Sequence, residues 1–316
     1  MGEAEVKIVG LAPVLKNKFT VEQPEESKAK GRDEQYSPQV YAEKAILERC
    51  KSLILLAVTF ISFVVTGCGT LSNGRGWGQD AIYPVDLGRI LHAASHSFFD
   101  LETLIPLAGA AVFTVDSFDR KVSNWARSRT PIFGSQTAAA NAYSPLRTSM
   151  QYEWFVTVLA TPSGEDLKDI VTSKLKGWAV GWVAQTLNTE TTTFIKLQTG
   201  RTRPDHSDNL SFPSSGASVP FTYSTLANRN LDSVAVPEEV RVPLKIGNIV
   251  VASITAWSRV EAGQHFPSDV LVGAALGHFI SAFNYDAFMG LPEKRGFLFN
   301  ISPSKHGATI GLEYVF

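Results

Sequence analysis

Cysteine is scarce in this chain, with two residues in 316. Both lie near the N-terminus: Cys50 precedes the longest apolar run and Cys68 ends it. The rest of the sequence therefore has no intramolecular disulfide to form.

An excess of charge of either sign is also missing. The chain has 29 basic and 30 acidic residues, a net charge of −1 and a pI near 6.6. This balance argues against a nucleic-acid-binding protein and provides no global attraction to anionic membranes. With 44% apolar residues, the chain is long enough to bury one full core.

Long apolar runs without a charge are limited to residues 53–66. Fourteen residues are short for a bilayer-spanning helix and fit the core of a signal peptide. A basic flank precedes the run, and the run ends in Val65-Thr66-Gly67-Cys68, which resembles a bacterial lipobox. We therefore predict a signal peptide over 41–67 and lipidation of Cys68, with an uncleaved membrane anchor as the alternative.

The segments on either side of the signal peptide differ in character. Residues 1–40 are polar and predict a disordered extension or a mis-assigned start, whereas the glycine-rich residues 68–82 predict a flexible tether. Residues 83–290 form the predicted helical domain, and residues 291–316 form a predicted hairpin.

The first chemical motif contains Lys196 and Arg203, seven residues apart and followed by Pro204. On an α-helix this spacing places both on one face, about 10 Å apart, while Arg201 falls off that face. Pro204 disfavours helix at Arg203, so the arginine lies near the helix end, where it suits an anion. An exposed basic helix end is the simpler reading of this motif alone.

The second cluster runs from Ser258-Arg259 to His265 and Asp269. Pro267 suits the first turn of a helix, and Asp269 follows His265 by four residues, so its carboxylate is expected to reach the imidazole. A carboxylate on one ring nitrogen fixes the tautomer and leaves the other free as nucleophile or base. The alternative is a packed histidine beside a helix-capping aspartate.

Together, Lys-x6-Arg-Pro, Pro-Ser-x-x and Ser-Arg-x5-His-x3-Asp resemble the signature of the type 2 phosphatidic acid phosphatase superfamily. This superfamily also contains the vanadium haloperoxidases and bacterial acid phosphatases. The first and third motifs match without a gap, and the resemblance covers roughly residues 87–285. It implies that Lys196, Arg203 and Arg259 bind phosphoryl oxygens. It also implies that His265 attacks phosphorus, that Asp269 orients His265, and that no metal or cofactor takes part.

The middle motif departs from that signature. Pro213-Ser214-Ser215-Gly216 has Gly216 where the family carries a histidine that protonates the departing oxygen. The amides of Ser215 and Gly216 at a helix N-terminus are still expected to hold an anion. Losing a general acid costs a factor of roughly 100 to 10,000, which matters less for a phosphate leaving group than for an alkoxide. Gly216→His should restore alkyl-ester activity, unless the glycine has a conformation closed to histidine.

Two other residues are weak candidates for the missing acid, His206 in the loop after the first motif and Glu261 two residues after Arg259. His92 and His96, with Asp100 one turn further, have the spacing of metal ligands. They lie far from the motifs in sequence, and we predict no metal site.

The periodicity predicts an all-α domain followed by a C-terminal β-hairpin. The resemblance implies that the helices form a bundle like that of the phosphatidic acid phosphatase type 2 and haloperoxidase superfamily. Glycines at 273 and 277 are expected to allow tight helix packing beneath the site. The predicted helices lie near 87–98, 101–118, 147–160, 166–198, 214–228, 244–260 and 267–284.

The resemblance thus implies a metal-independent phosphatase that acts through a phosphohistidine, and the resemblance together with the predicted anchor implies a lipid phosphate or pyrophosphate as substrate. We expect a lipid-anchored protein facing the periplasm from the outer membrane of a bacterial envelope, with a membrane but no nucleic acid as partner. A catalytically impaired homologue that binds a phosphorylated ligand or has a structural role is the alternative. A vanadium haloperoxidase is a weaker one.

Overall fold

The computed structural model describes residues 69–82, 85–291, and the backbone of 296–304 and 307–315. The predicted extension 1–40, the predicted signal peptide 41–67 and Cys68 lie outside these residues. The described domain is all-α, as predicted, with a hairpin at its C-terminal end.

Eight α-helices make up the described part of the domain. They are α1 (Leu87–Phe99), α2 (Leu101–Phe113), α3 (Phe118–Arg129), α4 (Gln136–Ala160), α5 (Leu167–Thr199), α6 (Ser215–Leu231), α7 (Glu238–Glu261) and α8 (Pro267–Phe288). Polar side chains start several of them: Asp86, Asp100 and Ser135 each accept a hydrogen bond from a backbone N–H in the first turn.

Three helix boundaries differ from the prediction. The segment predicted as one helix over 101–118 breaks after Phe113, and the polar helix α3 follows it. The helices α4 and α7 both begin well before the predicted starts, and they contain Pro145 and Pro243, respectively. Proline usually ends a helix, so the sequence pattern places the start after each proline.

Helix α6 forms the centre of the bundle. All of its residues except Ser215 and Phe221 are buried, and it packs against α4, α5, α7 and α8. Gly273 and Gly277 of α8 face the carbonyl groups of Ser214 and Ser218 so closely that a Cβ at either position would overlap them. The expected close packing of α8 beneath the start of α6 is therefore present.

The predicted tether over 68–82 is wrong for residues 69–82. Trp77 is 1% exposed, and its Nε1 donates to the Tyr285 hydroxyl at 2.8 Å. Gly69 and Gly164 exchange two backbone hydrogen bonds. Glycine-rich composition suggested flexibility, but here the missing side chains let the chain lie against the bundle: a Cβ at Gly78 would overlap the Ser173 carbonyl.

The C-terminal hairpin has two antiparallel strands, β1 (Gly296–Ser304) and β2 (Gly307–Val315). Their register pairs Gly296 with Val315 and Ser304 with Gly307. Strand β1 runs beside α1.

Among the described residues, no single helix is both long and apolar enough to cross a bilayer. One bent pair, Leu101–Phe113 with Val115–Arg129, meets that criterion by length and composition across an 84° bend.

Candidate functional site

The predicted site residues come together where four helix ends meet. Lys196 lies at the C-terminal end of α5 and Arg259 at that of α7, while Gly216 and Asp269 lie in the first turns of α6 and α8. The loop between α5 and α6 supplies Arg203. Lys196, Arg203 and Arg259 are all close enough to His265 to act on its charge.

The His265 imidazole is 2% exposed and has a partner on each nitrogen. Its Nδ1 lies 2.6 Å from the Ser211 carbonyl oxygen, which only accepts, so Nδ1 carries the proton. Its Nε2 lies 3.2 Å from Arg203 Nη1 and accepts from it. Burial, and then the charges of Lys196 and Arg203, hold the pKa of His265 well below its ordinary value. The imidazole is therefore neutral, and the lone pair on its Nε2 faces Arg203.

The spacing predicted a hydrogen bond between Asp269 and His265, but this bond does not form. The shortest distance between Asp269 Oδ2 and His265 Nδ1 is 3.9 Å. Instead, Oδ2 accepts from the Ser211 hydroxyl at 2.5 Å and from the Phe266 amide at 2.9 Å. The backbone carbonyl of Ser211 takes the place that the prediction gave to the carboxylate, so Asp269 reaches the imidazole indirectly, through the residue that binds it.

Arg201 and Asp119 support this arrangement, and the sequence analysis assigned neither of them a role. Arg201 donates to Asp269 Oδ1 at 2.5 Å and to Asp119 Oδ2 at 2.6 Å. Asp119 also accepts from the amide and the hydroxyl of Ser268. Asp119 lies in the unpredicted helix α3, and nothing in the sequence connects it to residues 82 and 149 positions away.

Lys196 is a buried cation, 8% exposed, whose Nζ donates to the Leu210 carbonyl at 2.7 Å. Burial, followed by the positive charge of Arg203, lowers the pKa of Lys196 to about 8. Arg203 is balanced by Asp208, which accepts from its Nε at 2.6 Å. The site therefore concentrates positive charge around Lys196, which loses its proton at a pH only slightly above neutral.

Arg259 lies in a slot between Gly216 and Tyr143. Its guanidinium carbon is 4.3 Å from the centre of the Tyr143 ring, a cation–π geometry. A Cβ at Gly216 would lie 2.9–3.0 Å from the Cγ, Nε and Cδ of Arg259. The arginine thus fills the space that a side chain at position 216 would enter, and burial lowers the pKa of Arg259 from its ordinary value.

Two polar atoms at the site are buried without a hydrogen-bond partner in the described part of the chain, Arg259 Nε and Ser214 Oγ. Ser214 is the N-cap of α6, whose first amides, including those of Ser215 and Gly216, have no acceptor within the helix. Buried donors rarely remain unpaired. A bound anion would satisfy the arginine, the hydroxyl and the amides together.

The two alternative general acids, Glu261 and His206, have different surroundings. Both carboxylate oxygens of Glu261 are occupied, by the amides of Ile132 and Phe133 and by the indole N–H of Trp257. His206 lines a separate cavity beyond Arg203.

The His92 and His96 pair lies at the opposite ends of α6 and α8 from the site. Their rings stack with centroids 6.2 Å apart, and His96 faces Asp286 at 3.7 Å. Asp100 pairs with His278 instead, at 3.3 Å. Within the described ranges, no three His, Cys, Asp or Glu side chains are arranged to hold a metal ion.

Comparison with known proteins agrees with the order of the motifs. The sequence model of the PAP2 superfamily matches residues 178–293, which include all three motifs. The lipid A 1-phosphatase of Porphyromonas gingivalis is 34% identical over 91 residues, 28% of this chain. That match spans about a fifth (19%) of the relative's own length.

A comparison of structures matches the first transmembrane PAP2-type phosphatidylglycerolphosphate phosphatase from Bacillus subtilis. The TM-score is 0.40 at 23% identity, and the match covers 60% of this chain and 92% of that one.

The contact between Gly216 and Arg259 predicts that Gly216→His does not restore a general acid. Gly216 is helical and free of positive φ, so its backbone admits histidine, but the new Cβ displaces Arg259. We expect sulfate to bind about tenfold or more weakly, the loss of one charge-assisted contact, as measured by calorimetry. Ser215→Ala, the neighbouring control, should bind sulfate like the parent. Unchanged sulfate affinity in Gly216→His would show that Arg259 is not held by this contact.

The lowered pKa of Lys196 predicts that anion binding weakens in mild alkali. Sulfate keeps its charge between pH 7 and pH 9, so any change in its dissociation constant reflects a change in the charge of the protein. Because the charged fraction of a lysine with pKa about 8 falls about tenfold between pH 7 and pH 9, sulfate affinity should fall about tenfold too. Lys196→Arg keeps its charge and should abolish the decline. An identical decline in both proteins would assign the titration to another group.

Proposed function

This chain belongs to the PAP2 superfamily, and we propose that it is a phosphatase that hydrolyses a phosphate ester or pyrophosphate through a phosphohistidine. The observation that carries the proposal is the pair of buried, unpartnered polar groups at Arg259 and Ser214, beside a neutral imidazole. A phosphoryl group is an anion of the right kind to pair with the first two and to react with the third.

The proposed first step is an in-line displacement at phosphorus. His265 Nε2 forms a bond to phosphorus as the bond to the leaving oxygen breaks. Lys196, Arg203 and Arg259 would hold the three equatorial oxygens, assisted by the amides of Ser215 and Gly216. The Ser211 carbonyl would accept from Nδ1 throughout, which stabilises the positive charge that develops on the ring. Water then cleaves the phosphorus–nitrogen bond and releases phosphate.

Asp269 would act in this step as a positioning residue. Its carboxylate holds the Ser211 hydroxyl, and the carbonyl of the same residue holds His265 Nδ1. Its partner Arg201 ties it to the loop that carries Arg203. This role differs from direct orientation of the imidazole, and it makes Ser211 part of the same unit.

The absence of an imidazole at position 216 favours leaving groups that depart without a proton. Glu261 is not free to supply one, because both of its carboxylate oxygens already accept hydrogen bonds. A pyrophosphate releases a phosphate group of low basicity, whereas an alkyl monoester releases an alkoxide. We therefore rank a pyrophosphate above an alkyl monophosphate as the substrate.

A lipid carrier for the phosphoryl group is supported by a surface and by a relative. Five exposed apolar side chains share one face of α5: Leu167, Val171, Leu175, Trp178 and Trp182. The P. gingivalis relative is named for its action on lipid A. Lipidation at Cys68, and an outer-membrane location facing the periplasm, are part of the same proposal.

Gly216 also favours a second candidate function, a homologue that binds a phosphorylated ligand without cleaving it. Such a protein would keep the cationic pocket and lose the general acid, as this chain does. Turnover separates the two candidates.

Hydrolysis of a leaving-group series tests the enzyme. We expect an isoprenyl pyrophosphate and 4-nitrophenyl phosphate to be turned over at least 100-fold faster than phosphatidate, because an unassisted alkoxide leaves slowly. His265→Asn, which cannot form the intermediate, should lose activity on all three substrates.

Three other outcomes would count against this account. Equal rates across the series would show that an acid is present. Sulfate binding with no turnover of any substrate would favour the binding protein. Halide oxidation in the presence of vanadate would favour the haloperoxidase.

A further inference from the structure

A cavity of about 450 Å³ adjoins the candidate site and shares Arg203 with it. Its lining comes from α3, from the loop after α5 and from the start of α8. The lining residues that bear on its chemistry are Arg120, Arg201, Arg203, His206 and Phe266. We refer to it as the Arg120 cavity.

The ionisable side chains that line the Arg120 cavity are all basic. Three arginines and a histidine line it, and none of the described lining residues is a carboxylate. Two of the arginines are already balanced: Arg201 pairs with Asp119 and Asp269, and Arg203 pairs with Asp208. Arg120 and His206 add positive charge or hydrogen-bond donors beyond these pairs, which creates a potential that favours an anion.

The balanced arginines are held in place, so the cavity is preorganised. The guanidinium of Arg201 lies over the Phe266 ring at 4.3 Å while its nitrogens bind two carboxylates. His206 has a left-handed backbone, φ +62°, and its amide donates to the Arg203 carbonyl at 3.0 Å. A non-glycine residue in this region carries strain, which is common at binding sites.

Arg203 connects the cavity to the chemistry. Its Nη1 contacts His265 Nε2, the proposed nucleophile, and the same side chain forms part of the cavity wall. An anion in the Arg120 cavity and a phosphoryl group at His265 would therefore both lie beside Arg203. Its Nε donates to Asp208 and its Nη1 to the Gln264 carbonyl and to His265, so Nη2 provides the two N–H groups that these bonds do not use.

We propose that the Arg120 cavity binds a second phosphate-type anion, next to the phosphoryl group at His265. This rests on the proposed function for the first anion and extends it to the substrate class. The second anion has two possible sources, another phosphoryl group on the same substrate or free inorganic phosphate. Both present the same tetrahedral oxygens to Arg120 and His206.

Calorimetric titration of the full chain with inorganic phosphate tests the cavity without requiring turnover. We expect two phosphates per chain for the parent and one for Arg120→Gln, with His206→Gln weakening the same site. Lys121→Gln is the matched control: it removes one charge from the next residue of α3, whose side chain pairs with exposed Asp116 outside the cavity. It should leave both sites intact.

Kinetics with aryl bisphosphates of increasing spacer length, against phenyl phosphate, identifies the source. If the second group belongs to the substrate, at least one bisphosphate gains tenfold or more in kcat/KM, and Arg120→Gln removes that gain while sparing phenyl phosphate. If the site takes free phosphate, the stoichiometry is still two but no bisphosphate gains.

One phosphate per chain in the parent, with Arg120→Gln and Lys121→Gln alike in binding and kinetics, would overturn the proposal. An inactive parent that still binds two phosphates would count against the phosphatase and in favour of the cavity, so the two failures are distinguishable.

Discussion

The buried carboxylate of Asp269 ties together the three motifs that form the candidate site. It is 0% exposed, and its oxygens bind Arg201 from the first motif, Ser211 from the approach to the second and the Phe266 amide from the third. Its backbone carbonyl also accepts from the Ser214 amide at 2.9 Å. Burial raises the pKa of Asp269, opposed by Arg201. Arg201 is partly exposed whereas Asp269 is fully buried, so loss of the arginine would leave a buried carboxylate without its cation.

Helix packing sets the distances at which these polar contacts form. Gly273 and Gly277 bring α8 against the carbonyl groups of the first turns of α6, which places the anion-binding end of α6 beside Asp269. Gly216, in the first turn of α6, lets Arg259 lie against this helix in the same way. Small residues thus serve two purposes here: they set the spacing of the helices, and at Gly216 they leave room for the side chain of Arg259.

Much of this site could be predicted from the sequence, because the motifs resemble a family signature. Spacing alone places Lys196 near Arg203, and the resemblance implies that Arg259 and His265 join them. The contacts of Asp269 could not be predicted, since a spacing of four residues does not reveal that a backbone carbonyl already occupies the imidazole nitrogen. Asp119 was missed because it lies in a largely polar helix that contains none of the motifs.

Composition was the least reliable guide. The glycines of residues 69–82 suggested a tether, yet Gly78 allows a close approach to α5 and Trp77 enters the core. Glycine predicts conformational freedom in the unfolded chain, and only the contacts around it decide whether that freedom remains. The helix starts predicted after Pro145 and Pro243 were too late, because both prolines lie inside long helices.

The account holds that Lys196, Arg203, Arg259 and the start of α6 form one oxyanion pocket that faces Nε2 of His265. A crystal structure with vanadate, which adopts the five-coordinate geometry of a phosphoryl group in transfer, examines this arrangement at the atoms involved. We expect vanadium bonded to His265 Nε2, with its equatorial oxygens on the three cations and on Ser214 Oγ. Vanadate bound elsewhere, or held without a bond to His265, would contradict the account.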